Sequence, residues 1–247
     1  MHPFLFHSGH LLIPTFGVLA AAGLMAALTL SLRTALASGL DPEKLWNAGL
    51  FVILSALVLS RLLLVVTNLK NFLHYPILLL TVPSLTATGI ALTFAVTLVY
   101  LRMHRIPVLR TLDAWSPCAT LAWAFLALGH LAEGSDAGLP TTLSWGLPIP
   151  PDRTPLHPVP LYVALAAASL TVVLLRGVRH LRPGDTFALA FSAAGIIQFL
   201  LTFFRQPYPY ADPSRHLLDP VQWIALGMIM TAGLIFLRPR KLVSHAV

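Results

Sequence analysis

Long apolar runs, interrupted at short intervals by prolines, glycines and small clusters of charge, fill the chain from residue 11 onward. Seven of them reach membrane length, at about 11–32, 45–67, 76–101, 115–132, 159–175, 186–204 and 218–237. A bilayer core ~30 Å thick requires roughly 20 mostly apolar residues in a helix rising ~1.5 Å per residue. The runs lack the strict alternation of barrel strands, and in lipid every backbone polar group must be satisfied within its own segment. The pattern therefore predicts an all-α polytopic membrane protein with about seven transmembrane helices, forming one integral membrane domain over residues 1–247.

Several breaks carry helix-end chemistry. Asp41-Pro42 reads as an N-cap followed by proline at the first helical position, and Pro183-Gly184-Asp185 stops the chain just before the sixth run. The longest connection, about 133–158, contains Pro140, Pro148, Pro150, Pro151, Pro155 and Pro158. Loops of that length are uncommon in compact domains unless they carry function. No internal repeat or low-complexity tract is evident.

Composition agrees with the pattern: of 247 residues, 57% are hydrophobic and 10% charged, with a mean hydropathy of +0.79. The N-terminus lacks the Lys/Arg n-region of a secretory signal, so the first run is expected to stay in the protein. A single cysteine, Cys118, excludes an internal disulfide and a cysteine-rich metal cluster.

The net charge of +7 does not point to nucleic acid. The N-terminus and alternate loops hold 4 cations (Lys70, Arg153, Arg205 and Arg215), whereas the opposite set holds 11 (Arg33, Lys44, Arg102, Arg105, Arg110, Arg176, Arg179, Arg182, Arg238, Arg240 and Lys241). The positive-inside rule explains such a split, and it places the N-terminus outside and the C-terminus in the cytoplasm. The proline-rich connection then lies outside.

Polar groups inside or bordering the runs mark candidate chemistry. Arg61, late in the second run, is either a snorkelling anchor or an anion site for a lipid phosphate, which a guanidinium binds bidentately. His130 and Glu133 close the fourth run three residues apart, so on a helix they share a face. They form either an interfacial polar pair or a histidine tuned as a base. Two such residues are too few for a metal site, although Asp136 and His157 lie in the same connection. Arg205 suits an anchor or a headgroup ligand, and Trp145 and Tyr162 suit the interfacial aromatic belt.

These residues also carry a resemblance. Ile13-Pro-Thr-Phe16-Gly17, Ser60-Arg61-Leu62, Asp113-Ala-Trp-Ser-Pro117, His157-Pro158-Val-Pro-Leu161-Tyr162, Phe203-Phe204-Arg205 and Gln222 are similar, in order and spacing, to segments of the prolipoprotein diacylglyceryl transferase family. The resemblance implies a seven-span bacterial inner-membrane enzyme without a cofactor. Its substrates would be phosphatidylglycerol and a lipoprotein precursor, the diacylglyceryl group moving to a cysteine thiol with release of glycerol phosphate. It implies a catalytic role for Arg205 and substrate contacts for Arg61, Gly129, His157 and Tyr162, whereas the catalytic roles of His130 and Glu133 are inferred from their own chemistry, His130 standing at the family's asparagine position.

The chain departs from the family at several charged positions. The third-span His-Gly-Gly falls on Ala87-Thr88-Gly89, and Arg-x-Gly-Asn becomes Ala127-Leu128-Gly129-His130. The Arg and Glu preceding Phe-Phe-Arg fall on Gln198 and Thr202, and the first-span tyrosine is Phe16. These departures leave a second reading, a catalytically silent relative that binds phospholipid or lipidated protein. A transporter would ordinarily show inverted repeats, and a retinal receptor needs a lysine inside the last span; neither feature is present.

Overall fold

The computed structural model describes residues 4–8, 11–75, 87–148, 154–206 and 218–238. A two-stranded antiparallel hairpin, β1 (Phe4–Ser8) and β2 (Leu11–Pro14), leads into helix α1 (Thr15–Ala37). There follow α2 (Pro42–Thr67), the single turn and a half of α3 (Leu69–His74), α4 (Ala87–Met103) and α5 (Val108–Glu133). A second small hairpin, β3 (Leu147–Pro148) with β4 (Pro155–Leu156), precedes α6 (Val159–Gly177), α7 (Asp185–Thr202) and α8 (Pro220–Phe236). The architecture is all-α apart from the two hairpins, which the apolar periodicity did not announce. Residues 11–14, expected inside the first helix, are strand β2, and α1 instead runs on to Ala37. The first part of the third expected span, 76–86, lies outside the described residues.

The helix ends follow local chemistry. The Asp41 carboxylate accepts from the backbone N–H of Glu43 at 2.9 Å and of Lys44 at 3.4 Å, with Pro42 opening α2. Helix α8 begins in a capping box, in which Val221 N–H donates to Asp219 (2.8 Å) and Asp219 N–H to Gln222 (3.0 Å). Helix α7 is capped from a distance: Asp113 of α5 accepts from Gly184 N–H (2.6 Å) and Phe187 N–H (2.8 Å). That buried carboxylate ties the turn between α6 and α7 to α5, and it satisfies donors that lipid could not.

Packing places α5 at the centre, against α1, α6 and α7, while α8 lies along α7 and α2 packs against α1 and α4. Many interior positions are small, including Ala35, Ala48, Ala114, Ala127, Ala164 and Ala167. Thr120 of α5 bonds Thr171 of α6 at 2.8 Å in the interior. Large apolar side chains such as Leu54, Leu57, Leu165, Val172, Ile224 and Leu234 point outward. Small residues within and bulky apolar residues outside are the arrangement of helices associating in lipid, where close backbone approach replaces the hydrophobic drive.

Four helices, α1, α2, α6 and α7, are long and apolar enough to cross a membrane. Helices α4 and α8 are apolar but have 17 residues each, about 26 Å of rise. Helix α5 has 26 residues but a more polar composition, with Thr111, Asp113, Ser116 and Thr120 buried against neighbouring helices.

The bundle has two distinct ends. Leu40, Leu45, Ile106 and Trp115 draw together the turns before α2 and α5, near the Asp113 contact with the α6–α7 turn. At the opposite end Phe16 of α1 meets His130 of α5, and the connection between α5 and α6 folds over them.

Candidate functional site

Helix α5 ends at Gly134, whose φ of 77° is the left-handed conformation that glycine adopts without steric cost. The turn returns Ser135 N–H to the His130 carbonyl at 3.0 Å. It also sets the Ser135 hydroxyl between two side chains, 2.9 Å from His130 Nδ1 and 3.4 Å from Glu133 Oε2. His130 and Glu133 thus communicate through Ser135, a link that their spacing alone did not reveal. In the tautomer protonated at Nδ1, Ser135 Oγ accepts from Nδ1–H and can donate to Glu133 or to the His130 carbonyl, each at 3.4 Å, and the imidazole lone pair sits on Nε2. The His130 ring also lies 4.8 Å from that of Phe16.

Arg205 approaches the same region from another helix. Just past α7, its backbone pairs antiparallel with Gly138, while Leu139 N–H donates to the Phe204 carbonyl at 2.8 Å. On its other side Gly138 N–H donates to the His157 carbonyl at 2.9 Å, and His157 N–H returns a bond to Leu139 at 3.0 Å. A Cβ at residue 138 would lie 2.5 Å from Phe204 O, 2.7 Å from His157 Cβ and 2.8 Å from Val159 Cγ2, so only glycine fits. This clamp brings Asp136 to Arg205, whose Nη2 is 3.2 Å from Asp136 Oδ2. The buried Arg205 Nε has no hydrogen-bond partner among the described residues.

Two adjoining cavities share Asp136 and Arg205. One, of about 580 Å³, is lined by His130, Glu133, Ser135, Trp123 and Gln198 as well as the pair. The other, of about 680 Å³, lies toward α8 and adds Thr202, Gln206, Asp219 and Gln222. Gln198 Oε1 is buried without a partner among the described residues, so a polar group stands unsatisfied at the cavity wall.

The structure brings three of the sequence-derived residues, His130, Glu133 and Arg205, into one cavity. The others lie elsewhere. Tyr162 OH accepts from Trp145 Nε1–H at 2.9 Å and lies 3.3 Å from His157 Nδ1, and the His157 ring packs edge-on against Phe204 at 5.2 Å. These groups anchor the connection to α6 and α7, and neither His157 nor Tyr162 lines the two cavities. Gly129 faces Phe16, where an added Cβ would stand 2.7 Å from the ring, so it sets the spacing of α1 and α5. Arg61 sits on α2, beside the buried Ser60 that contacts Gly89 of α4, and lines neither cavity.

Sequence reasoning did not identify Ser135, Gly138 or Trp123 as site residues, and it placed Asp136 only as a neighbour in the loop. The length and prolines of the 133–158 connection marked it as a functional loop, but nothing local named its partners on α7.

Comparison with known proteins bears on the same segments. The sequence profile of the family described as "Prolipoprotein diacylglyceryl transferase" matches residues 3–238. A phosphatidylglycerol–prolipoprotein diacylglyceryl transferase of Clostridium tetani is 26% identical over 246 residues, covering 96% of this chain and 97% of its own. A relative of the same name from Wolbachia pipientis is 28% identical over 144 residues, covering 53% of this chain and 55% of its own. One from Clostridium perfringens is 26% identical over 244 residues, covering 93% and 92%. Matched along almost its whole length, the chain belongs to the prolipoprotein diacylglyceryl transferase family.

Proposed function

We propose that this protein is a seven-span enzyme of the bacterial inner membrane that transfers the diacylglyceryl group of phosphatidylglycerol to the cysteine thiol of a lipoprotein precursor. The observation that carries the reading is the convergence of His130, hydrogen-bonded to Ser135, and Arg205 on one cavity from two different helices. The cationic turns gathered at the Asp113 end support a cytoplasmic location for that end, which puts the cavity on the outer side.

In this mechanism a thiol gives its proton to His130 Nε2 while Ser135 and Glu133 hold the ring from the Nδ1 side. The sulfur bonds to the glycerol carbon as the carbon–oxygen bond to phosphate breaks, and the electron pair leaves with glycerol phosphate. Arg205 balances the charge on that phosphate. Arg61, on α2 and off both cavities, takes no step in this mechanism, and His157, Tyr162 and Gly129 hold the cavity wall in place.

One observation favours a silent lipid binder instead. Gln198 and Thr202 stand where the family resemblance expects Arg and Glu, and the Gln198 side-chain oxygen, Oε1, lacks a partner among the described residues. Complementation of a strain depleted of its own diacylglyceryl transferase separates the two. Rescue by the wild-type chain establishes the enzyme; membrane expression without rescue, together with phosphatidylglycerol binding, establishes the binder.

A further inference from the structure

The Asp136–Arg205 pair is built unlike a structural ion pair. Arg205 is the more enclosed partner, with 22% of its side chain exposed against 38% for Asp136, and only Nη2 meets the carboxylate. Its Nε is buried and without a partner among the described residues, leaving much of the guanidinium fork unused. Asp136 has a φ of 60°, a left-handed conformation that aspartate tolerates better than most residues other than glycine. It stands between two glycines, Gly134 with its own positive φ and the clamped Gly138, so a change of Asp136 can remain local.

Charge around the pair gives the carboxylate a particular role. An arriving phosphate would meet one guanidinium and the carboxylates of Glu133, Asp136 and Asp219. Two of these are engaged elsewhere: Glu133 accepts from Ser135, and Asp219 caps α8. Asp136 has only Arg205 among the described residues. Carboxylate and phosphate present similar acceptor geometry to a guanidinium, so each can replace the other.

We propose that Asp136 is a displaceable stand-in for the lipid phosphate. Its carboxylate holds Arg205 in place while the site is empty, and the anionic headgroup binds by taking Arg205 and releasing Asp136. The inference rests on the reading of Arg205 as a phosphate ligand. Asp136 thereby sets the apparent affinity for anionic lipid, since only the released fraction of Arg205 is competent to bind.

The test uses the full chain in nanodiscs with increasing phosphatidylglycerol in phosphatidylcholine, reading lipid binding and transfer to a lipoprotein-precursor peptide. Asp136→Asn and Asp136→Gly remove the competing charge, and Asn and Gly both accept a left-handed backbone. Because partly exposed ion pairs are weak, each variant should lower the apparent Kd and KM for phosphatidylglycerol by about threefold to fivefold without a matching rise in kcat. In an Arg205→Ala background the same changes should have no effect. Unchanged or weakened lipid binding in both variants, at wild-type thermal stability, overturns the stand-in role. If only one variant remains folded, that variant decides the outcome. Should Arg205→Ala alone leave lipid binding intact, the phosphate-site reading fails first; if it weakens binding but neither Asp136 variant tightens it, the stand-in alone fails.

Discussion

Replacing Gly138 by alanine tests whether the connection between α5 and α6 builds the site or merely crosses above it. The added methyl would stand 2.5 Å from Phe204 O and 2.7 Å from His157 Cβ, and both belong to paired backbone that cannot rotate aside. One response keeps the pairing and absorbs the overlap, which costs about 1–3 kcal/mol in a packed interior. The alternative gives up the bonds from Gly138 N–H to His157 and from Leu139 N–H to Phe204. At about 0.5–1.5 kcal/mol net for each bond, that route costs a similar total. Either way Phe204 moves relative to Gly138, and Asp136 loses its alignment with Arg205. Gly227→Ala is the matched control, because nothing lies within 4 Å of a Cβ there. The expected result is normal membrane insertion of both variants, with lower thermal stability and at least tenfold weaker phosphatidylglycerol binding or transfer only for Gly138→Ala. Wild-type stability and turnover in Gly138→Ala would refute the clamp.

Further outcomes follow from individual contacts. His130→Ala should bind phosphatidylglycerol as wild type does yet transfer ~10²–10⁴-fold more slowly, with Ser135→Ala falling between; equal rates would remove His130 as the base. Arg205→Ala should weaken binding of anionic lipid roughly tenfold to a hundredfold, the equivalent of about 1.5–3 kcal/mol for charge-assisted hydrogen bonds, and Arg205→Lys should recover only part of it. Asp113→Ala leaves the N–H groups of Gly184 and Phe187 without their acceptor, at about 1–3 kcal/mol each, so its melting temperature should drop further than that of Asp113→Asn, which keeps one carbonyl. A periplasm-dependent reporter should be active when inserted near Gly138 and silent when fused after Val247; the reverse would invert the proposed orientation.

The amino-acid sequence by itself determined the solvent and the class of fold. Apolar runs of membrane length require helices wherever lipid offers no hydrogen bonds, and this holds whatever the helices pack against. Local ends were legible too, because the Asp41 carboxylate accepts from N–H groups two and three residues away and Gly184 supplies the positive φ that breaks the chain before α7. Helix α5 marks where that legibility stops. It matched the expected fourth run only in part, starting seven residues earlier, at Val108, because its polar first turns are tolerated through burial against α1 and α7 rather than through hydrophobicity. Asp113 was visible as a motif residue, yet its role as the distant cap of α7 depended on a partner 71 residues away. The site divides in the same manner. His130, Glu133 and Arg205 stood out because charge and imidazole near lipid are costly and therefore noticeable. Only the tertiary structure decided that Ser135 joins the first two, that Asp136 faces the third, and that Arg61, Gly129, His157 and Tyr162 lie off the two cavities. Those relations arise from a left-handed turn at Gly134 and a close backbone approach at Gly138, and each becomes defined only when helices distant in sequence have packed.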